Sequence, residues 1–93
     1  MRSSWEVLVA NYLMKNNYNF KYEEVRYNLG SITYKPDFFI YKEDGELEFI
    51  IEVKGWVKEK DIRKLNLFQI LYPDIHYYFW DKEIIDLIKK EVA

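Results

Sequence analysis

A chain of 93 residues, of which 49% are hydrophobic, 19% aromatic and 32% charged, is long enough for one domain and apolar enough to bury a core. Because it has no cysteine, disulfides, thiol catalysis and thiolate metal sites are excluded, as in many proteins of the reducing cytoplasm. The formal net charge of −2 at pH 7 argues against a nucleic-acid partner, since phosphate binding usually depends on a surplus of Lys and Arg.

The first predicted element is a helix over residues 3–16. Ser3 and Glu6 have the spacing of a capping box at its start, which gives Glu6 a structural interpretation. Asn16 and Asn17 end the helix. Its apolar side chains recur at i, i+3, i+4, i+7 and i+8, as in a helix packed on a core: Trp5, Leu8, Val9, Tyr12 and Leu13.

Three strands are predicted next. Residues 20–41 are rich in Tyr, Phe, Val and Ile and predict two strands separated by a turn at 28–31, with Pro36 at the start of the second. Asp44-Gly45 predicts a two-residue hairpin turn, because a type I′ turn needs positive φ at both central residues. In the third strand the alternation places Leu47, Phe49, Ile51 and Val53 on one face, opposite Glu46, Glu48, Ile50, Glu52 and Lys54.

The remaining chain predicts a helix, a strand and a helix. The helix over residues 58–72 follows Gly55, ends before Pro73 and turns inward Ile62, Leu65, Phe68 and Tyr72. A strand over 75–80 leads to Asp81, the N-cap of a helix over 82–92 with the apolar residues Ile84, Ile85, Leu87 and Ile88. We therefore expect a single α/β domain over residues 1–93, with a mixed four-stranded sheet flanked by helices in the order α-β-β-β-α-β-α.

The hairpin register predicts a pair of apposed carboxylates. With a two-residue turn, Asp37 lies opposite Glu52 and Lys35 lies opposite Lys54, all at one end of the hairpin. Like charges that face each other destabilise a sheet, so a compensating cation is expected. Mg²⁺ is typically held by one or two carboxylates and by water, and Lys54 is near enough to contact such a water. Two carboxylates, a metal ion and an amine are the components of a phosphodiester hydrolase.

A solvated strand face is the alternative interpretation of these charges. Charged residues at i and i+2 are common, so Glu52 and Lys54 could simply face solvent. Asp37 would then belong to the turn chemistry beside Pro36. The residues alone leave both interpretations open.

The order Pro36-Asp37 and then Glu52-Val53-Lys54 resembles the signature of the PD-(D/E)xK nuclease superfamily. The core of that superfamily is a helix, three strands, a helix and a fourth strand, which matches the predicted order. The chain is more specifically similar to the phage endonuclease I family of Holliday junction resolvases, over about residues 2–80. The similarity rests on Arg2-Ser3-x-x-Glu6, Phe20-x-Tyr22-Glu23-Glu24, Tyr34-x-Pro36-Asp37-Phe38, Glu52-x-Lys54-Gly55 and Asp61-x-Arg63-Lys64, in this order.

The resemblance implies a restriction-endonuclease-like core and a catalytic site made of Glu6, Asp37, Glu52 and Lys54. It implies that Asp37, Glu52 and the backbone carbonyl of Val53 coordinate Mg²⁺, or Mn²⁺ in its place. Glu6 would help to hold a metal ion or its water, an interpretation that competes with the capping box. Lys54 would position or activate the attacking water.

Cations cluster directly after the predicted site. The candidates for phosphate contacts are Lys58, Lys60, Arg63 and Lys64, together with Lys35. A solvated helix face with i, i+4 ion pairs accounts for the same residues on the helix. Trp56 either stacks on a base or sugar or packs under its loop. No role is assigned to Gln69, and the lone His76 is interpreted as a packed or surface residue.

We expect a Mg²⁺-dependent DNA endonuclease, in its most specific form a phage-type resolvase of branched DNA. The alternatives are an endonuclease of the transposon or restriction type that nicks or cuts duplex DNA, and a non-catalytic DNA-binding module with a nuclease fold. A domain this small buries only about 60% of its unfolded surface, so a homodimer is expected. No apolar run approaches the roughly 20 residues that cross a bilayer and no secretory segment is visible, so we expect no membrane partner and a cytoplasmic location in a phage or prokaryotic system.

Overall fold

The computed structural model describes residues 4–92, so the predicted cap at Ser3 and the motif residue Arg2 lie outside the described residues. The helices are α1 (Ser4–Lys15), α2 (Glu59–Leu71) and α3 (Lys82–Val92). The strands are β1 (Asn19–Tyr22), β2 (Tyr27–Asn28), β3 (Thr33–Tyr34), β4 (Phe38–Tyr41), β5 (Leu47–Val53) and β6 (Tyr77–Trp80).

Four of these strands form one mixed sheet in the order β1-β4-β5-β6. β4 pairs antiparallel with both β1 and β5, whereas β5 and β6 are parallel. Parallel neighbours need a crossover connection, which α2 supplies between β5 and β6. The predicted α/β fold with a mixed four-stranded sheet flanked by helices is thus confirmed.

The helix ends follow the predicted signals. α1 ends just before Asn17, which has a φ of 61° in the left-handed region. α3 begins after Asp81, whose Oδ1 accepts a hydrogen bond from the N–H of Ile84 at 3.2 Å, so the predicted N-cap is confirmed. Between residues 4 and 92, no helix is both long enough and apolar enough to span a bilayer.

The segment from β1 to β4 differs from the single turn that was predicted. β2 and β3 form a separate two-stranded ladder between the paired strands β1 and β4. Gly30, at a φ of 102°, lies in its turn and donates its N–H to Asn28 Oδ1 at 2.8 Å. The ladder folds over α2, because Leu29 and Tyr34 are buried in one cluster with Phe68. This burial stabilises the ladder. The predicted turn at 28–31 is confirmed as the turn of the ladder, but the single strand predicted on each side of it is divided into two.

The turn between β4 and β5 is one residue longer than predicted. Lys42 donates its N–H to the carbonyl of Glu46 at 2.8 Å, which leaves a loop at 43–45 instead of a two-residue turn. Gly45 has a φ of 90° and donates its N–H to the carbonyl of Lys42. A longer loop that ends in a glycine of positive φ is the common alternative to the type I′ turn.

A β-bulge compensates for the additional loop residue. Tyr41 pairs with Leu47 near the turn, but Ile40 pairs with Phe49, so Glu48 is an extra residue on β5. Toward the start of β4 the pairing is as predicted, because the additional loop residue and the bulge shift the register by one residue in opposite directions. Leu47 was predicted on the face of Phe49, but beyond the bulge it packs in the opposite core.

The sheet has a hydrophobic core on each face. α1 and α3 cover one face, where the buried side chains include Val9, Leu13, Phe38, Ile51 and Ile85. α2 and the β2–β3 ladder cover the other face, where the buried side chains include Leu29, Tyr34, Phe39, Ile50 and Phe68. Successive residues of a strand point to opposite faces, so the central strands β4 and β5 supply both cores.

One residue that was predicted to face the core, Ile62, lies at the surface, as does Leu87 among the apolar residues of the last helix. Ile62 of α2 is 49% exposed and Leu87 of α3 is 57% exposed, whereas Leu65 and Phe68 are buried as predicted. Within residues 4–92, no other segment covers the sides of α2 and α3 that carry these two residues. The flanks of an apolar stripe therefore remain in contact with solvent.

Trp5 of α1 lies directly against the backbone of Gly55, which follows β5. A Cβ atom on Gly55 would lie 2.5 Å from the ring of Trp5, well inside van der Waals contact. Only glycine fits beneath the ring without a shift of one or the other. This contact ties the start of α1 to the end of β5.

The substitution Gly55→Ala should lower the free energy of unfolding by about 1–3 kcal/mol, because the methyl group overpacks the contact with Trp5. Urea unfolding followed by circular dichroism measures the change. The Trp5→Phe background is the matched control, since its smaller ring leaves room for the methyl group and should reduce the cost of Gly55→Ala. An equal cost in both backgrounds would show that this contact does not limit the position.

Candidate active site

A cleft of about 590 Å³ opens at the end of the sheet where β4 begins and β5 ends. Its walls come from α1, the residue before β2, the segment from β3 to the start of β4, the end of β5 with the turn after it, α2 and β6. The predicted catalytic residues all line it: Glu6, Asp37, Glu52 and Lys54. Segments that are far apart in the sequence therefore meet in one concave site.

Asp37 is anchored to the neighbouring strand by its side chain. It directly precedes β4 and is only 7% exposed. Its Oδ2 accepts a hydrogen bond from the N–H of Val53 at 2.8 Å, and its backbone carbonyl accepts one from the N–H of Glu23 at 2.9 Å. The carboxylate is thus fixed beside the end of β5, next to Glu52.

Glu52 projects from β5 toward the face that α2 covers. Its Oε2 accepts a hydrogen bond from the hydroxyl of Tyr34 at 2.8 Å. Burial, and then the nearby charge of Asp37, raise the pKa of Glu52 from 4.5 to about 7, against smaller opposing effects of Tyr34, Lys54 and Lys64. The cleft therefore disfavours a second negative charge unless a cation enters.

The hydroxyl of Tyr34 is part of the same site. Burial, and then the charge of Glu52 and the hydrogen bond to it, raise the pKa of Tyr34 above its ordinary value. The hydroxyl therefore keeps its proton and acts as a donor to Glu52. Tyr34 belongs to β3 of the ladder, which the sequence did not separate from β4, so its position depends on that ladder.

Glu6 reaches the cleft from the opposite layer. It lies on α1, which packs on the other face of the sheet, and it is only 7% exposed. Its Oε2 accepts a hydrogen bond from the hydroxyl of Tyr22 at 2.7 Å. The position of Glu6 in the cleft agrees with a role in the site. Its alternative role in a capping box involves Ser3, outside the described residues.

Lys54 is held by an acidic residue of α2. Its Nζ lies 3.1 Å from Asp61 Oδ1, and Asp61 Oδ2 accepts a hydrogen bond from the N–H of Lys58 at 3.0 Å. The bond from Lys58, aided by the ammonium of Lys54, lowers the pKa of Asp61. Asp61 is thus an ionised anchor that keeps Lys54 at the wall of the cleft.

The predicted phosphate contacts divide into two groups. Lys35 and Lys64 line the cleft, with Lys35 Nζ 3.1 Å from Glu23 and Lys64 Nζ 5.9 Å from the centre of the Tyr34 ring. The structure does not bring the other three into the cleft; they lie exposed on or beside the first turns of α2: Lys58, Lys60 and Arg63. Arg63 instead forms an i, i+4 ion pair with Glu59 at 2.8 Å, as the alternative interpretation holds.

Sequence reasoning missed several residues of the site. Arg26 lines the cleft and donates to Thr33 Oγ1 at 3.0 Å, but nothing in the sequence pattern marks it. Tyr22, Tyr34 and Asp61 occur in the motifs that carry the resemblance, yet no role follows from their spacing alone. With Arg26, the cations that line the cleft match its acidic residues in number, so the site is charged but locally balanced: Arg26, Lys35, Lys54 and Lys64 against Glu6, Asp37, Glu52 and Asp61.

Three residues without a firm role in the sequence analysis lie at the edge of the cleft or outside it. Trp56 is 79% exposed at the edge of the cleft, so it does not pack under its loop. Gln69 donates to the carbonyl of Pro73 at 3.3 Å and does not line the cleft. His76 is exposed, as expected for a lone histidine without a metal partner.

The donors present fit a hard divalent cation that keeps part of its water. Between residues 4 and 92, no three Asp, Glu, His or Cys side chains are placed to hold one metal ion together. Mg²⁺ usually binds through one or two carboxylates with water in its remaining positions. Asp37 and Glu52 supply such a pair of carboxylates at one end of the cleft strands.

A family model described as Protein of unknown function (DUF1064) matches residues 6–86. The match covers most of the chain, which therefore belongs to this family. Comparisons with curated proteins and with solved structures find no match. The matched range includes every residue that lines the cleft.

The pKa of Glu52 makes stability depend on pH. Between pH 4.5 and about 7 the folded state binds a proton that the unfolded state has released, so the free energy of unfolding falls as pH rises and then levels off. We expect a loss of about 3 kcal/mol over this interval relative to Glu52→Gln, measured by urea unfolding in EDTA.

The control for this comparison is Glu48→Gln, which removes an exposed carboxylate from the same strand. It should keep the pH dependence of the original protein. If Glu52→Gln also keeps it, the proton is bound elsewhere and the apposition of Asp37 and Glu52 is not the cause.

Proposed function

We propose that this DUF1064 protein is a Mg²⁺-dependent endonuclease with a restriction-endonuclease-like core, which hydrolyses phosphodiester bonds in branched DNA. The observation that carries the proposal is the meeting of two carboxylates and an ammonium, from Asp37, Glu52 and Lys54, in one cleft. General acid–base groups and a metal ion next to each other are what phosphodiester hydrolysis requires.

Asp37 and Glu52 would hold Mg²⁺ or Mn²⁺, with the carbonyl of Val53 as a further oxygen donor, and Glu6 would hold a water of that ion. A bound ion supplies positive charge to the phosphoryl oxygens and lowers the pKa of water. With such an ion held between them, the charge of Asp37 would no longer oppose ionisation of Glu52, so both carboxylates would be charged. The donors are hard oxygens, which suit Mg²⁺ and Mn²⁺.

Lys54 would orient the water that attacks phosphorus. In hydrolysis a bond forms between the water oxygen and phosphorus, the bond from phosphorus to the leaving deoxyribose oxygen breaks, and a proton passes from water to that oxygen. The contact with Asp61 at 3.1 Å keeps the Lys54 ammonium at the wall of the cleft beside Glu52. Hydrogen bonding from this position is suited to hold the water.

The other cations of the cleft are suited to grip the strand. Arg26, Lys35 and Lys64 line the walls, where they could contact phosphates on either side of the scissile bond. Lys58 and Lys60 lie outside the cleft, close to the start of α2, and would meet phosphates further along. The cleft is balanced in charge without a metal ion, and a bound divalent cation would give it the local positive surplus that phosphate binding needs despite the acidic net charge.

A binding module without catalysis is the competing proposal from another class. Apposed carboxylates with a raised pKa cost stability, and they give no benefit to a surface that only binds phosphate. That cost is characteristic of functional sites. Within the enzyme class, an endonuclease that nicks or cuts duplex DNA uses the same residues and differs in substrate alone.

The test compares a four-way junction with a linear duplex of the same sequence, each incubated with Mg²⁺ or with EDTA. We expect cleavage of the junction that requires Mg²⁺ and falls at least about 100-fold in Asp37→Asn and in Lys54→Met, because each removes a component of the hydrolytic site. Gel electrophoresis of end-labelled strands measures the rate.

Lys42→Met is the matched control, since Lys42 lies at the β4–β5 turn, at the opposite end of these strands from the cleft. It should leave cleavage unchanged. Equal cutting of both DNAs would identify a general endonuclease, whereas tight binding to either DNA without any cutting would support the binding module and refute the enzyme.

We also propose that the protein acts as a homodimer in the cytoplasm of a phage-infected or prokaryotic cell. Cutting two strands of a branch needs two sites, and pairing would cover exposed apolar side chains such as Ile62 and Ile70. Sedimentation equilibrium at micromolar concentration should give about twice the 11.5 kDa mass of the chain. A single species of the monomer mass would contradict the dimer.

A further inference from the structure

A second cavity of about 550 Å³ lies beside the cleft. Val53, Gly55 and Trp56 line both cavities, so the turn after β5 is their common wall. Trp5 and Lys82 complete the second cavity, together with Ser4. A strand that passes through the cleft could therefore place a neighbouring nucleotide in this second cavity without leaving the surface.

The two tryptophans that line this cavity differ in how far their side chains are exposed to solvent. Trp5 is half-buried and its ring is held against Gly55, where no side chain larger than hydrogen fits. Trp56 is 79% exposed, which is costly for a large aromatic side chain that gains nothing from the core. The cavity thus combines a fixed indole with an accessible one.

The charge of the second cavity suits a nucleotide. Lys82 is its one charged lining residue among those described, and no acidic side chain lines it. The ammonium of Lys82 lies 2.9 Å from Asp86 on the exposed surface of α3. A phosphate could share such a surface ammonium at little cost, since exposed ion pairs are weak.

We propose that Trp56 and Trp5 form a subsite for an unpaired nucleobase, next to the phosphodiester that occupies the cleft. This inference rests on the proposed nuclease function and narrows its substrate. Indole rings stack on any base, because every base has a π face. A base inside a continuous duplex is stacked between its neighbours and cannot enter, so cleavage is directed to DNA with unpaired bases near the scissile bond.

Binding in EDTA tests the subsite without any cleavage. A fluorescently labelled oligothymidylate is compared by anisotropy with a strand of the same length that carries abasic sites in place of its bases. We expect the base-containing strand to bind about 5- to 150-fold more tightly, and Trp56→Ala to abolish this difference. Trp56→Phe should retain part of it, because a smaller aromatic ring still stacks.

The matched control is Met14→Ala, which truncates another exposed apolar residue, 58% exposed, on α1 outside both cavities. It should keep the full preference for bases. Equal binding of the two strands by the original protein would overturn the subsite, and so would a preference that survives Trp56→Ala. A change of oligomeric state in Trp56→Ala, with the preference for bases intact, would instead assign Trp56 to a protein interface.

The binding and cleavage assays together distinguish the failure of the subsite proposal from the failure of the nuclease proposal. Metal-dependent cleavage without a preference for bases would overturn the subsite and leave the nuclease standing. A preference for bases that Trp56→Ala removes, in a protein that cuts no DNA, would support the subsite and refute the nuclease.

Discussion

The backbone hydrogen bonds between β4 and β5 determine which side chains enter each core and which reach the cleft. Both strands are central in the sheet and are covered on both faces, so a shift of one residue would exchange the two sets of side chains. The same pairing brings Asp37 to Glu52 and lets the Asp37 carboxylate accept the N–H of Val53. Core packing therefore stabilises the register on which the site depends.

The carboxylates of the cleft are buried close to one another, which makes their ionised form unfavourable when no ligand is bound. Burial and mutual repulsion raise the pKa of Glu52, while the hydroxyl of Tyr34 donates to it and fixes its position. The hydroxyl of Tyr22 likewise donates a hydrogen bond to Glu6 of α1 and fixes the position of that carboxylate. Rigid neighbours of this kind keep charged groups in place for a ligand at some cost in stability.

The small size of the domain explains why the cleft draws on so many segments. With one four-stranded sheet, a short ladder and three described helices, several elements contribute both to a core and to the cleft, among them α1, α2 and β5. Phe68 packs α2 against the sheet, and the same helix supplies Asp61 to Lys54 and Lys64 to the cleft wall. The same helix therefore supports both the core and the cleft.

The positions of the charged residues in the cleft change how the acidic net charge of the chain is interpreted. Four acids and four cations line the cleft, so charge is concentrated there in both signs. Sequence composition averages over these positions and indicates only a slight excess of acid. The field at the site depends on where the charges are placed.

Local patterns in the sequence were sufficient for the helices, the mixed sheet and the apposition of Asp37 and Glu52, because periodicity and caps act over a few residues. The register was correct although the turn was not, since the bulge at Glu48 cancels the longer loop. Only the tertiary structure decided the β2–β3 ladder and the entry of Arg26 and Tyr34 into the cleft, because these depend on packing against α2. The contact of Trp5 with Gly55 and the exposure of Trp56 likewise follow from how distant segments meet, which no local pattern records.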